Sequence, residues 1–340
     1  MSKEVLVSVV ITNWNGKRYL AECLNSLKNQ TYHFLEIIVV DNGSSDDSIE
    51  FIKTNFPEVR IIANKTNVGF AEANNTGIMA AKGKYIATLN NDTVAEPGWL
   101  LNLIEAAERR REAAMFASKI LSLHNPNLIE SKGMLIYPDG IAKCRGFLTK
   151  DNAECEKEEE VLLPSACAAL YRKDILFLAG LFDKDYFAYC EDVDIGLRIR
   201  MLGFSCLYVP RARTYHYYSG TSRQNLLLKV YLAERNRLWT IIKTFPIPDL
   251  MVSLIFTFKR YIFYLYGAWL KITPIKEFCA KESKLIILFI LAKAYLSTLL
   301  NLIKLLKKRQ YIMDNKKVPA KEIRAWLKKY KIGIREMIFT

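Results

Sequence analysis

The sequence predicts an α/β domain in which helices wind over a mostly parallel sheet, followed by a basic, mainly helical region. Three observations carry this. Short β-branched runs alternate with segments of helical spacing over the first hundred residues, the pattern of strands joined by crossover helices. Each run ends in a cluster of Asn, Asp, Gly or Ser. Charge is also divided: 23 Lys and Arg stand against 7 Asp and Glu from Leu226 onward, a balance of +16 within a total of +14, so the first 225 residues carry −2.

The elements follow in order. Val5–Thr12 reads as a buried strand, and Lys17–Asn29 as a helix with Tyr19, Leu20, Cys23, Leu24 and Leu27 on one face. Leu35–Val40 and Val59–Ala63 read as the second and third strands, Phe70–Lys82 as a helix and Tyr85–Leu89 as the fourth strand. Ala113–Arg145 is less regular and reads as short strands and loops; Asp151–Glu160 reads as an acidic surface loop. Leu162–Tyr171 returns to strand and Lys173–Ala179 to a short helix. Phe182–Asp194 leads into a helix that Gly203 stops, and Cys206–Val209 is a strand stopped by Pro210.

A chain of 340 residues with 51% apolar content supports one domain of roughly 200–250 residues plus an appendage. The composition excludes disordered and fibrous classes. Met1-Ser2-Lys3-Glu4 runs directly into the first strand pattern, so no secretory signal is expected and the catalytic part is expected in the cytosol. The seven cysteines (23, 144, 155, 167, 190, 206 and 279) form no C-x-x-C pair. They read as reduced thiols instead of disulfides or a zinc site.

In a wound sheet, ligands bind beyond the carboxyl ends of the strands. Four polar clusters fall there: Thr12-Asn13-Trp14-Asn15-Gly16, Asp41-Asn42-Gly43-Ser44-Ser45-Asp46, Asn67-Val68-Gly69-Phe70 and Asn90-Asn91-Asp92-Thr93. Any one of them could be a turn. Four on one edge suit a ribose, a base and a metal. Further on stand Gly180-Leu181-Phe182-Asp183, Tyr186-Phe187-Ala188-Tyr189-Cys190-Glu191-Asp192-Val193-Asp194 with Arg198, then Val209-Pro210, His216 and Arg235-Asn236-Arg237. In these ordered blocks the chain resembles the family 2 glycosyltransferases of GT-A fold, especially the bacterial rhamnosyl- and galactofuranosyltransferase branch, over about residues 5–245.

The resemblance implies an inverting transfer of a sugar from a nucleoside-diphosphate donor, dTDP-rhamnose or a UDP-sugar, in cell-surface polysaccharide synthesis. It implies Mn²⁺ or Mg²⁺ on the diphosphate, where a cation stabilises the developing negative charge and hard oxygen ligands suit it. Asp92 closes the family's D-x-D position, here Asn90-Asn91-Asp92, and is expected to be a metal ligand, with His216 the second. Asp192 matches the family's general base, with Glu191 beside it at a helix start; Asp194 is expected to pair with Arg198 instead. Asp41 fits a reader of the uracil or thymine N3–H. Thr12, Asn13 and Asn15 frame the nucleoside, Asn67 and Gly69 line the cleft, and Asn90 and Asn91 approach the ribose or the metal shell. Asn74 stands where many relatives carry a phosphate-binding Arg, and Arg235 is the replacement to examine.

The sequence places the catalytic domain at residues 1–245 and a basic, membrane-associating region at 246–340. Leu285–Arg309 is rich in Leu and Ile, and within it Lys293, Ser297, Asn301, Lys304 and Lys308 recur at steps of four, four, three and four. On one continuous helix these form a polar stripe, the pattern of a helix lying in a membrane interface. Leu250–Leu270 carries Lys259-Arg260 at its middle, which disfavours spanning. The expected partners are an anionic membrane on the cytoplasmic face of the inner membrane and a saccharide or polyprenyl-diphosphate-linked acceptor. No nucleic-acid module is present. Internal packing or a homo-oligomer is the alternative for the tail. Competing functions are a non-catalytic sugar-nucleotide-binding scaffold, which has no need to keep Asp92, Asp192 and His216 together, and a nucleotidyltransferase, which needs a Gly-rich phosphate loop after the first strand.

Overall fold

The computed structural model describes residues 5–217, 226–269, 284–333 and 336; Cys279 lies outside them. The chain forms two compact units. One comprises Met1–Met134 and Cys144–Arg223, the other Leu135–Lys143 and Gln224–Thr340.

The first unit is built on a ten-stranded sheet. Its parallel part comprises β1 (Val7–Asn13), β2 (Leu35–Asp41), β3 (Arg60–Ala63) and β4 (Tyr85–Asn90), in the order β4-β1-β2-β3. The sheet continues from β4 through β11 (Ala168–Arg172), β6 (Ala113–Ser122), β12 (Ser205–His216) and β10 (Glu159–Val161). Two short strands extend it, β5 (Thr93–Ala95) on β12 and β7 (Ile129–Ser131) on β6, while β8 (Met134–Ile136) and β9 (Ala142–Cys144) pair only with each other. Strand β11 runs antiparallel to both neighbours, so the sheet is mainly parallel but mixed. Helices α1 (Lys17–Lys28), α2 (Ser48–Asn55), α3 (Phe70–Ala80), α4 (Trp99–Arg109), α5 (Lys173–Leu178) and α6 (Glu191–Met201) accompany it. Val7, Val9 and Ile11 pack with Leu20, Leu24, Leu27 and Leu103 in one core. Val10, Val40 and Ile86 pack with Ala71, Ile78 and Ile195 in another. Alternate residues of β1 thus enter different cores, as expected for a strand buried on both faces.

Three features depart from the sequence reading. Ala113–Ser122 is a ten-residue strand lying between β11 and β12, and its all-buried run lacks the alternation that announces a half-exposed strand. Lys119 within it is fully buried and bonds Asp151 Oδ1 at 2.9 Å and also Glu156. The acidic stretch is thereby tied down at two points as the counter-charge of a buried lysine. Pro210 does not end β12, because the pairing with β6 shifts register between Val209 and Arg213, and a bulge tolerates the missing N–H.

The second unit holds α7 (Leu226–Thr244), α8 (Ile247–Trp269), α9 (Lys284–Leu300), α10 (Leu302–Asn315) and α11 (Ala320–Lys329). Helix α7 belongs to this unit, packing on α9 and α10. Leu135–Lys143 joins this unit through buried charge. Asp139 accepts from Arg260 Nε at 2.6 Å, its carbonyl accepts from Arg237 Nη1 at 2.9 Å, and Glu234 accepts from Arg237 and Arg260. Lys293 and Lys304 do not share one helix either. The Leu285–Arg309 segment breaks at Asn301, and the pieces Leu285–Leu300 and Leu302–Asn315 bend by 63°. No single described helix is long and apolar enough to cross a membrane. On α9, Ile290, Ala294 and Thr298 point inward, while Leu288, Phe289, Leu296 and Leu299 are each more than half exposed. On α8, Met251, Leu254, Ile255, Phe258 and Leu265 are exposed to the same degree.

Candidate active site

Parallel register sets the first group at the strand ends. Asn13 lies opposite Asp41, and Thr12 opposite Asn90. Asn13 Nδ2 donates to Asp41 Oδ1 at 2.9 Å, and its Oδ1 accepts from Asn91 Nδ2 at 2.7 Å. Asp41 Oδ2 accepts from the Ser44 amide at 2.9 Å. Asp41, Asn13 and Asn91 are buried, so this network has a fixed shape. Asn15 is exposed and braces the Ser44–Ser45 turn: its amide donates to Ser44 Oγ at 2.8 Å and its Oδ1 accepts from the Ser45 amide at 2.8 Å.

Asn42, which the sequence reading did not single out, ties the next loop to this edge. Its Nδ2 donates to Asn67 Oδ1 and to the Gly69 carbonyl, and its Oδ1 accepts from Asn64 Nδ2 and the Val68 amide. Gly69 then makes a close approach. Its φ is +88°, and a Cβ there would lie 2.6 Å from the Phe187 carbonyl oxygen, a position open to glycine alone. Asn74 turns inward, its amide donating to the Phe70 carbonyl of its own helix. Arg235 belongs to α7 of the second unit, where its guanidinium lies 4.4 Å from the Trp239 ring centroid and 5.4 Å from that of Tyr231.

Antiparallel register brings the second group together. Strand β5 pairs with the end of β12 so that His216 faces Thr93, next to Asp92. His216 Nε2 lies 3.1 Å from Asp92 Oδ1, and Nδ1 lies 2.6 Å from Glu130 Oε1 on β7. All three residues are buried. Burial opposes an imidazolium here, but Cys167, Asp92 and Glu130 around the ring outweigh it and hold the pKa well above the ordinary histidine range.

Among the described residues no cluster of three or more His, Cys, Asp or Glu is arranged to hold a metal by itself. The pair nevertheless fits two adjacent corners of an octahedral cation, whose ligands at about 2.1 Å stand about 3 Å apart. The amide oxygen of Asn90, buried and without a partner, is a further oxygen donor on the Asn90-Asn91-Asp92 segment. Metal and proton compete for His216 Nε2.

The third group opens α6. Phe187, Tyr189 and Cys190 all have φ between 64° and 67°, a left-handed run that non-glycine residues rarely adopt. It delivers Glu191 and Asp192 to the first turn of the helix. Asp192 accepts from the Val193 amide at 2.8 Å and the Ala166 amide at 3.4 Å. Burial raises the pKa of both acids, and Asp192 and Asp194 raise that of Glu191 further, well above its usual range. Glu191 Oε2 is buried without a partner, so of the two acids Glu191 is the one held more strongly toward its neutral form. Asp194 pairs with Arg198 at 2.7 Å as expected and accepts from Tyr186 Oη. The second and third groups share a neighbourhood through one strand end: Ala166, whose amide donates to Asp192, is followed by Cys167, whose carbonyl accepts from the Asn90 amide at 2.8 Å and whose Sγ lies 3.6 Å from Thr93 Oγ1.

Glu130 was not legible as a site residue. Its only signal is a lone acid between apolar Ile129 and a strand end.

A wound, mainly parallel sheet with carboxylates and amides at its strand ends is the GT-A arrangement. The family model for glycosyl transferase family 2 matches residues 8–177, and the chain belongs to that family: it is a nucleotide-sugar glycosyltransferase. It is 30% identical over 239 residues to an uncharacterized glycosyltransferase of Haemophilus influenzae, covering 68% of this chain and 70% of the relative. It is 26% identical over 233 residues to the N-acetylglucosaminyl-diphospho-decaprenol L-rhamnosyltransferase of Mycobacterium tuberculosis, covering 62% and 76%. Among solved structures, the mannosyltransferase PcManGT of Pyrobaculum calidifontis, in complex with GDP-Man and Mn²⁺, shares the fold at 16% identity. Its TM-score is 0.53 over 92% of this chain and 86% of that one.

Proposed function

We propose that this chain is an inverting, metal-dependent transferase that moves a sugar from a dTDP- or UDP-linked donor to a hydroxyl of a saccharide or polyprenyl-diphosphate-linked acceptor. The observation that carries the reading is the convergence of Asp92 and His216 at 3.1 Å in the neighbourhood of Asp192. Asn13, Asp41 and Asn91 hold the nucleoside end, with Asp41 as the acceptor for a base N–H. Asp92 and His216 hold a Mn²⁺ or Mg²⁺ ion, which supplies positive charge to the departing diphosphate when bound. Asp192 takes the acceptor proton as the new glycosidic bond forms, since a sugar hydroxyl is too weak an acid to ionise unaided at neutral pH. Glu191, kept neutral by burial, does not compete for that role. One base without a carboxylate nucleophile supports a single displacement with inversion, by the logic of inverting glycosidases with the acceptor in place of water.

The outward apolar faces of α8 and α9 and the +16 balance of the tail support a location on the cytoplasmic face of the inner membrane, where a lipid-linked acceptor resides. The mycobacterial relative, an N-acetylglucosaminyl-diphospho-decaprenol L-rhamnosyltransferase, supports such an acceptor. A screen of nucleotide sugars for Mn²⁺-dependent thermal stabilisation and slow hydrolysis tests the proposal. One donor should stand out and lose its effect in excess chelator. No response to any nucleotide sugar overturns it.

A further inference from the structure

The imidazole of His216 is held from both sides by carboxylates, and only Asp92 has a place in the reading above. Glu130 sits on β7 where the pairing with β6 shifts register between Ile120 and Leu121, and such irregularities re-aim side chains. Its Oε1 lies 2.6 Å from His216 Nδ1, while Oε2 is buried with no hydrogen-bond partner. A carboxylate so enclosed costs folding free energy. A methionine would fill the same volume without that cost, so the acid is not explained by packing.

We propose that Glu130 is the positioning residue of the metal-binding histidine. It accepts a hydrogen bond from Nδ1–H and, once a cation displaces the Nε2 proton, keeps the remaining proton on Nδ1 so that the Nε2 lone pair is free to ligate. Asp92 and Glu130 compete for one proton. A neutral imidazole carries a single N–H. With no acceptor at Nδ1, Asp92 draws that proton to Nε2, where it blocks the very atom that has to ligate. Glu130, closer to the ring than Asp92, reverses the preference. A carboxylate behind a ligating histidine also fixes the ring's rotation.

The inference rests on Asp92 and His216 being metal ligands, and the test separates the two. Mn²⁺ binding is followed by loss of the free-ion EPR signal, with and without UDP or dTDP, for wild type, Asp92→Ala, Glu130→Met and Glu130→Gln. Glu130→Met should bind Mn²⁺ about 10–100-fold more weakly. Glu130→Gln, which keeps an acceptor at Nδ1, should recover most of the affinity. In ¹⁵N-histidine spectra with Mg²⁺, where only His33, His124 and His216 contribute, His216 should show the Nδ1–H tautomer in wild type and lose it in Glu130→Met. If Glu130→Met does not fold, Glu130→Asp, which withdraws the acceptor by one methylene, should show the same weakening. Loss of binding in Asp92→Ala with undiminished affinity in the folded Glu130 variants overturns the role of Glu130 alone. Equal binding by wild type and Asp92→Ala, or none by wild type, overturns the metal reading and this inference with it.

Discussion

Asp92 and His216 are 124 positions apart in the chain, yet His216 Nε2 lies 3.1 Å from Asp92 Oδ1. Three residue pairs between β5 and the end of β12 bring this about. Because the pairing is antiparallel and in register, Asp92 follows directly from where Thr93 must sit. Asp92→Ala and His216→Ala should each abolish or strongly weaken Mn²⁺-dependent donor binding, measured by calorimetry, while leaving metal-free nucleotide affinity nearly unchanged. Full wild-type activity in excess chelator would exclude both residues from a metal role.

Asp192→Asn should preserve donor binding and lower kcat about 10²–10⁴-fold. The pH dependence follows from the raised pKa of Asp192. The group must be ionised to accept a proton, so the rate falls as pH drops through that raised value, on the alkaline side of an ordinary aspartate. A pH–rate profile flat into the range of a free aspartate, or turnover of Asp192→Asn within threefold of wild type, would remove it from the mechanism.

Gly69→Ala should destabilise the first unit by about 2–3 kcal/mol, since the backbone lies in a region where a Cβ is strained and the added carbon meets Phe187 backbone atoms at 2.6–2.8 Å. The loop carrying Phe187 leads into Glu191 and Asp192, so kcat should fall as well. Urea unfolding and kinetics on the same sample read both effects; a variant with wild-type midpoint and rate would contradict this close approach.

The buried charges of the second unit should dominate its response to acid. Burial works against the Glu234 carboxylate, but Arg237 and Arg260 outweigh it and hold the pKa at about 2. The folded value lies below the unfolded one, near 4.3. The pair therefore stabilises fully above the unfolded pKa, and the contribution is lost as pH falls toward 2. Arg260→Met leaves Asp139 and Glu234 short of a counter-charge and should cost about 3–5 kcal/mol at neutral pH. Urea midpoints at a series of pH values check both statements.

Membrane attachment should depend on the exposed apolar faces first and on charge second. Replacing Leu288, Phe289 and Leu296 with Ser should release the protein from anionic liposomes at any ionic strength. Lys304→Gln with Lys307→Gln should weaken binding in a manner that added salt mimics, because the charge term is screened and the apolar one is not. Arg309 is a poor probe, since its guanidinium donates to the Ile242 and Phe245 carbonyls at 2.7 Å. A wild-type protein that ignores such liposomes and forms a stable dimer would assign these faces to a second copy.

The parallel half of the sheet was legible in the sequence. Strand β1 to α3 is local alternation; Asp41 and Asn90 end their strands, and Asn67 stands in the loop between β3 and α3. The blocks around Asp92 and Asp192 were legible as short runs that match the family's motifs, although the partner of Asp92, His216, stands 124 positions away. What only tertiary structure decided depends on pairing between distant segments. The long run of β6 hides in an unalternating sequence, Pro210 is absorbed by a bulge, and Leu135–Lys143 leaves its neighbours because Asp139 finds Arg260 121 residues away. Glu130 had no motif at all. Its meaning comes from the strand register that places it behind His216, and a single sequence carries no local trace of register between strands so far apart in the chain.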